Sequence, residues 1–184
     1  MSFIFNKLAI PNVVSITPKI FNDDRGYFFE NFHDSIFTQN NIDEKIIQEN
    51  FSFSKKNVLR GLHFQKPPKS QAKLVSVISG EIFDVAVDLR KTSSTFGQWV
   101  GEILSKENHK SLFIPSGFAH GFCVLSQSAS VLYKINQEYS PEHESGIIWN
   151  DPDLNISWPI TNPFLSKKDQ NLPLLKNQED IFEF

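Results

Sequence analysis

Between residues 58 and 135 the hydrophobic positions fall in short runs rich in Val, Ile and Phe, separated by Gly, Pro, Ser or Asn. The runs are Val58–Phe64, Lys73–Ile78, Glu81–Leu89, Trp99–Leu104, Ser111–Ile114, Phe118–Leu125 and Ser130–Ile135. Short β-rich runs bounded by turn residues read as strands, and the absence of helical periods between them favours an antiparallel sandwich or barrel over an α/β fold. In Ile82 to Leu89 the alternation is clearest: Phe83, Val85, Val87 and Leu89 share one face, and Asp84 and Asp88 share the other. In an ordinary half-buried sheet that acidic face looks at water, which the pattern alone neither requires nor excludes. Helical signal is weak. Asp34 to Gln39 predicts a short helix, and the tail after Pro163, through Ser166 to Asp169, predicts another turn. No repeat or linker divides the chain, so one domain is expected over residues 1–184.

Composition narrows the functional classes. A chain of 184 residues with 40% hydrophobic and 21% charged positions suits a soluble globular protein with one good core. Its net charge is −3 and its basic residues form no run, so the ion release that drives nucleic-acid binding has no source. No segment has the length and apolarity of a membrane span, and the start of the chain lacks a secretory pattern. The single Cys123, inside the apolar run from Phe118, reads as buried filler and suits a reducing compartment. A cytoplasmic protein is expected.

Candidate chemistry begins with histidine, the side chain most ready to exchange protons near neutral pH. His33, His109 and His143 lie in polar, loop-like surroundings and read as surface residues. His63 and His120 sit in apolar strands beside Gly61 and Gly121, where a missing side chain leaves room for a ligand or a close backbone approach. Each could equally be a structural histidine with satisfied nitrogens. Neither has the second histidine two residues away, with an acid shortly after, by which many double-stranded β-helix proteins bind metal, and no phosphate-loop or dinucleotide signature is present. Arg25, Arg60, Lys73 and Lys168 are cations near predicted strands. Singly each would be solvated surface, but Arg25 and Lys73 adjoin segments expected to be buried, where a diphosphate would suit both. Tyr133 falls on the face opposite Leu132 and Lys134. It would either fill the core or present a phenol to a cavity across from His63, giving an acid and a base on two sides of a substrate.

Longer runs carry a resemblance. They are Asp24-Arg25-Gly26-Tyr27-Phe28-Phe29-Glu30, Gln48-Glu49-Asn50, Val58 to Gln65, Gly80 to Arg90, Thr95 to Trp99 and Ile114 to Phe122. In order and spacing, from about residue 8 to about residue 175, the chain resembles the dTDP-4-dehydrorhamnose 3,5-epimerase family. The resemblance implies an all-β, cupin-like double-stranded β-helix, or jelly roll, with a few short helices. It also implies a homodimer that needs no metal or organic cofactor and acts on a dTDP-linked 4-keto-6-deoxy sugar in dTDP-L-rhamnose biosynthesis. By the same likeness His63 is the base, Asp169 its supporting carboxylate and Tyr133 the acid, with Lys73 near the ketone and phosphates. Arg25, Glu30, Gln48, Asn50, Arg60, His120, Glu144 and Lys168 line the nucleotide and sugar site, and Tyr139 stacks on thymine. The segment through Glu30 is a candidate for crossing to the partner subunit.

One geometric condition follows. Strict alternation from Leu59 to Gln65 sends Arg60 and His63 to opposite faces, so both reach one pocket only if Gly61 permits a bulge or Arg60 precedes the strand. The tail beyond about Leu175 has drifted from the family pattern and carries no assignment. Two other functions fit much of the same residue set: a relative that epimerises C3 alone on another nucleotide-linked 4-keto sugar, and a non-catalytic sugar-nucleotide-binding jelly roll. A metal-dependent cupin oxygenase is a third option, and it would carry bound iron or zinc.

Overall fold

The computed structural model describes residues 2–179 and 181–183. The strands are β1 (Phe3–Lys7), β2 (Val14–Pro18), β3 (Phe21–Asp23), β4 (Gly26–Phe28), β5 (Gln48–Lys55), β6 (Leu59–Gln65), β7 (Lys73–Ser79), β8 (Glu81–Asp88), β9 (Trp99–Ser105), β10 (Ser111–Ile114), β11 (Phe118–Val124), β12 (Ser128–Ile135) and β13 (Glu144–Gly146). The helix α1 spans Asp34–Gln39, and 3-10 turns form at Asp169–Asn171 and Leu175–Asn177. No helix among the described residues is long and apolar enough to cross a membrane.

Two antiparallel sheets make the jelly roll, ordered β1-β2-β10-β7-β12-β5 and β13-β6-β11-β8-β9, and a separate ribbon pairs β3 with β4. Val75, Val77, Leu112, Ile114, Ala129 and Val131 from the first sheet meet Ile82, Ala86, Val100, Leu104, Phe118, Phe122 and Val124 from the second, closing an apolar interior. α1 covers part of the outer face of the six-stranded sheet, where Phe37 packs with Phe3, Ile16, Leu74 and Phe113. The C-terminal segment covers the outer face of the other sheet: Leu154, Ile181 and Phe182 pack on Leu62, Phe64, Val85, Val87 and Leu89. The tail that the sequence left unassigned thus becomes a layer of the protein.

That layer overturns the half-buried reading of β8. Its greasy face, with Val85, Val87 and Leu89, lies under the C-terminal segment, and the opposite face carries Ile82 and Ala86 into the barrel interior. Asp84 and Asp88 are on that inward side and are fully buried. Asp88 is satisfied there by Arg90, Ser93 and Thr95, and their hydrogen bonds hold its carboxyl below the usual range despite the opposing effect of burial. A strand sandwiched on both faces has no watery side to give its acids.

On β6 the condition set by alternation is met by a bulge. His63 opposes His120 and Arg60 opposes Phe122, so Gly61 and Leu62 together face the single Gly121. Gly61 has φ +121°, and a Cβ there would lie 2.5 Å from Gly121 Cα and 2.7 Å from His120 O. Only glycine tolerates both the backbone angle and the approach. The extra residue brings Arg60 back to the face of His63.

Candidate active site

A cavity of about 400 Å³ opens between the sheets, lined by Gln48, Asn50, Arg60, His63, Gln71, Lys73, His120, Tyr133, Ile135, Tyr139 and Glu144. Alternation explains the set. On β5 the inward positions are Gln48, Asn50, Ser52 and Ser54, and on β12 they are Val131, Tyr133 and Ile135. Arg60, His63 and Glu144 also border an outer groove that runs past Phe164 and Ser166 to Lys168 and Asp169. The chamber therefore continues into this groove through their shared lining residues.

His63 hydrogen-bonds through Nε2 to Asp169 Oδ1 at 2.6 Å. Burial alone would raise the Asp169 pKa, but bonds from His63, Ser166 and the Gly61 backbone outweigh it and hold the carboxyl below its ordinary value. With a carboxylate on Nε2, that nitrogen carries the proton, and Nδ1 is left with the lone pair. An imidazole held this way can accept a proton at Nδ1. Tyr133 stands on the other sheet, and its pKa is raised by burial against a smaller opposing effect of Arg60, so the phenol keeps its proton at neutral pH.

Lys73 is buried, and its Nζ donates to His63 O at 3.1 Å. Burial lowers its pKa to about 8, with Asp84 and Glu144 opposing the shift. An ammonium in this wall is charged at neutral pH yet poorly hydrated, so its field acts strongly on whatever charge develops beside it. Arg60 is fixed by Nε donating to Ser54 Oγ at 2.9 Å. Glu144 takes hydrogen bonds from Lys168 and from the Tyr139 hydroxyl, and Tyr139 N–H donates to Gln48 Oε1. His120 gives its Nε2 to the buried Asp84 at 2.6 Å.

Residues 7–177 match the sequence model of dTDP-4-dehydrorhamnose 3,5-epimerases. The chain belongs to the dTDP-4-dehydrorhamnose 3,5-epimerase family. It is 54% identical over 172 residues to the family's enzyme from Salmonella typhimurium, covering 92% of this chain and 93% of that one. With the Shigella flexneri enzyme it shares 53% over 167 residues, 90% and 92% of the two chains. Its fold is similar to that of dTDP-6-deoxy-D-glucose-3,5-epimerase from Legionella pneumophila in complex with dTDP-4-keto-L-rhamnose, at 45% identity and a TM-score of 0.96 over 99% of this chain and 98% of that one.

For a member of this epimerase family, most of the residues singled out in the sequence converge: His63, Lys73, Tyr133, Gln48, Asn50, Arg60, His120, Tyr139 and Glu144 line the chamber, while Lys168 and Asp169 border the groove. Arg25 and Glu30 do not. Arg25 is exposed and paired with Asp23, and Glu30 is paired with His33. The reason is topological: β3 and β4 bond only to each other, so the ribbon and the segment after it are not drawn into either large sheet. Gln71 and Ser54 escaped sequence reading. Neither belongs to a chemically telling motif, although inward alternation along β5 could have revealed Ser54. Among the described residues no group of three His, Cys, Asp or Glu side chains is arranged to hold a metal ion. Cys123 is buried, and burial pushes its thiol up to about 12, so it stays protonated.

Proposed function

We propose that this protein is a dTDP-4-dehydrorhamnose 3,5-epimerase, converting dTDP-4-dehydro-6-deoxy-D-glucose to dTDP-4-dehydro-L-rhamnose in dTDP-L-rhamnose biosynthesis. The observation that carries the reading is the pairing across one cavity of a carboxylate-oriented imidazole, His63 on β6, with a protonated phenol, Tyr133 on β12. Inversion at carbon needs a base on one face of the ring and an acid on the other.

The reaction then runs through an enolate. His63 Nδ1 takes the proton from the carbon beside the C4 ketone, and the C–H electron pair moves into a C–C double bond as negative charge gathers on the ketone oxygen. Lys73 stabilises that oxygen from the dry wall of the chamber. Tyr133 delivers its proton to the opposite face of the carbon, the enolate collapses to the ketone, and the phenolate is reprotonated from solvent while His63 gives up its proton. Repeating the sequence at the second carbon completes the conversion. The ketone is itself the electron sink, and only protons move, so the chemistry calls for no metal or organic cofactor. Asp169 keeps His63 in the tautomer with Nδ1 free and favours its protonated product form. Arg60 and Lys168 supply positive charge for the diphosphate, Tyr139 a face for thymine, and Gln48, Asn50, His120 and Glu144 the polar contacts that orient the sugar nucleotide.

The same reading gives Arg25 and Glu30 a place. In a homodimer the β3–β4 ribbon, with exposed Tyr27 and Phe28 at its surface, would bring them to the partner's chamber. A nucleotide-linked substrate and a single buried thiol fit a cytoplasmic enzyme. The direct test is a coupled assay of the wild type and His63→Ala: the variant should lose about 10²- to 10⁴-fold in kcat while still binding dTDP. A wild type that binds dTDP but turns nothing over would make the protein a sugar-nucleotide binder instead.

A further inference from the structure

Asp84 takes no part in the proton transfers just described, yet it occupies an unfavourable position. It is fully buried on the inward face of β8, beside Ile82 and Ala86 of the apolar interior. One oxygen, Oδ1, meets His120 Nε2 at 2.6 Å, while Oδ2 is buried without a hydrogen-bond partner among the described residues. A carboxylate removed from water with half its acceptors empty is destabilising, and an apolar side chain of similar size would serve the core better. Asp88, two positions along the same face, shows the contrast, because Arg90, Ser93 and Thr95 satisfy both of its oxygens. What Asp84 has is proximity to the chamber: His120, which lines it, is hydrogen-bonded to the carboxylate, and Lys73, which also lines it, feels the carboxylate's charge.

We infer that Asp84, which does not line the chamber, is a positioning residue for the epimerisation: it fixes the His120 ring through Nε2 and supplies the buried negative charge that sustains the ammonium of Lys73. The inference rests on the function proposed above. With Nε2 given to Asp84, Nδ1 is the nitrogen His120 can offer to a ligand. The carboxylate charge also opposes the loss of the Lys73 proton that burial promotes, ahead of the smaller effect of Glu144. Before substrate binds, Asp84 balances Lys73. As the enolate forms, its oxygen adds a second negative charge facing an ammonium already in place, so the site need not recruit a proton during the reaction.

The charged and titratable groups around this pair come from every neighbouring strand. They are Arg60 and His63 on β6, His120 on β11, Tyr133 on β12 and Glu144 on β13, together with the Cys123 thiol on β11, whose pKa the Asp84 charge helps to raise. Glu102 on β9 lies opposite Asp84 in register and is engaged by Lys110. Removing the Asp84 charge leaves Lys73 with Glu144 as its remaining anionic support. The ammonium then deprotonates at lower pH.

The test compares the wild type, Asp84→Asn and Asp84→Glu, using dTDP-4-dehydro-6-deoxy-D-glucose as substrate. Asp84→Asn is expected to lower kcat about 10- to 100-fold with less than about a threefold change in KM, and to move the alkaline limb of the kcat profile to lower pH by about one unit. In parallel, competitive acetylation of Lys73 across pH, read by mass spectrometry, reports its ionisation without needing turnover. Its midpoint should move down in Asp84→Asn and stay near the wild-type position in Asp84→Glu, which keeps the charge. A midpoint unmoved in Asp84→Asn, or moved equally in both variants, overturns the inference. Should the wild type fail to turn over the substrate, the functional reading falls, and the acetylation midpoints still decide whether Asp84 supports Lys73.

Discussion

The chemistry at each residue is set less by its identity than by what its neighbours do to its proton. Asp169 leaves His63 with a defined lone pair, burial keeps Tyr133 protonated, and burial brings Lys73 to about 8, the states the proposed mechanism uses. Lys73 gives the sharpest consequence at this scale, because its folded pKa lies below its ordinary 10.5. The penalty for burying its charge is fully present below about pH 8 and is relieved as pH rises from there to the unfolded value. Activity should run the other way, falling as the ammonium is lost. Compared with Lys73→Met by urea unfolding, the wild type should therefore be less stable near pH 7, with the gap narrowing by about 3 kcal/mol between pH 7 and pH 10.5. A gap independent of pH would mean that Lys73 titrates normally. The strand positions of His63, Tyr133 and Lys73 were legible in the sequence, His63 also through its neighbour Gly61, while the roles proposed for them came from the family likeness. The Asp84 contact was not, since nothing in a linear pattern tells which face of a strand is covered.

Elements turn those residues toward one point, and here the bulge on β6 matters most. Without the extra residue at Gly61 and Leu62, Arg60 would project away from the chamber that His63 enters. Gly61→Ala is expected to destabilise the protein by about 2 to 3 kcal/mol, since Cβ would meet the β11 backbone and the φ angle suits no other residue. Its kcat/KM should fall further than the folded fraction measured by denaturant titration. Wild-type activity per folded molecule would show that the bulge does not set the site. The central strands were readable because Val, Ile and Phe runs between turn residues map simply onto a pleated sheet, and their ends fall within one or two residues of expectation. β5 was missed for a physical reason. It points Gln48, Asn50, Ser52 and Ser54 into the barrel and Phe51 and Phe53 outward, reversing the usual arrangement of apolar side within and polar side without. The short β1 to β4 segments carry too few alternating positions to stand out.

Across the whole molecule, three layers enclose the site: the two sheets and the C-terminal segment, whose Ile181 and Phe182 seal the outer face of β8 and so free its other face to carry charge inward. The sequence showed an antiparallel all-β protein but not this third layer, because the tail is rich in Lys, Asn and Gln and its few apolar residues have no period. The placement of Arg25 and Glu30 belongs to this scale as well. If the ribbon completes a partner's chamber, Arg25→Ala and His63→Ala should each be impaired as homodimers, whereas subunits mixed and allowed to exchange should recover about a quarter of wild-type activity through one intact site per mixed dimer. Mixtures no more active than their components would place Arg25 outside catalysis or within its own subunit's site. The central claim, proton exchange by His63 and Tyr133 from two faces of a keto-sugar ring, is tested most directly by proton NMR of the product formed in deuterium oxide. Deuterium at both C3 and C5 with both centres inverted is the result expected, and exchange confined to one carbon would contradict it.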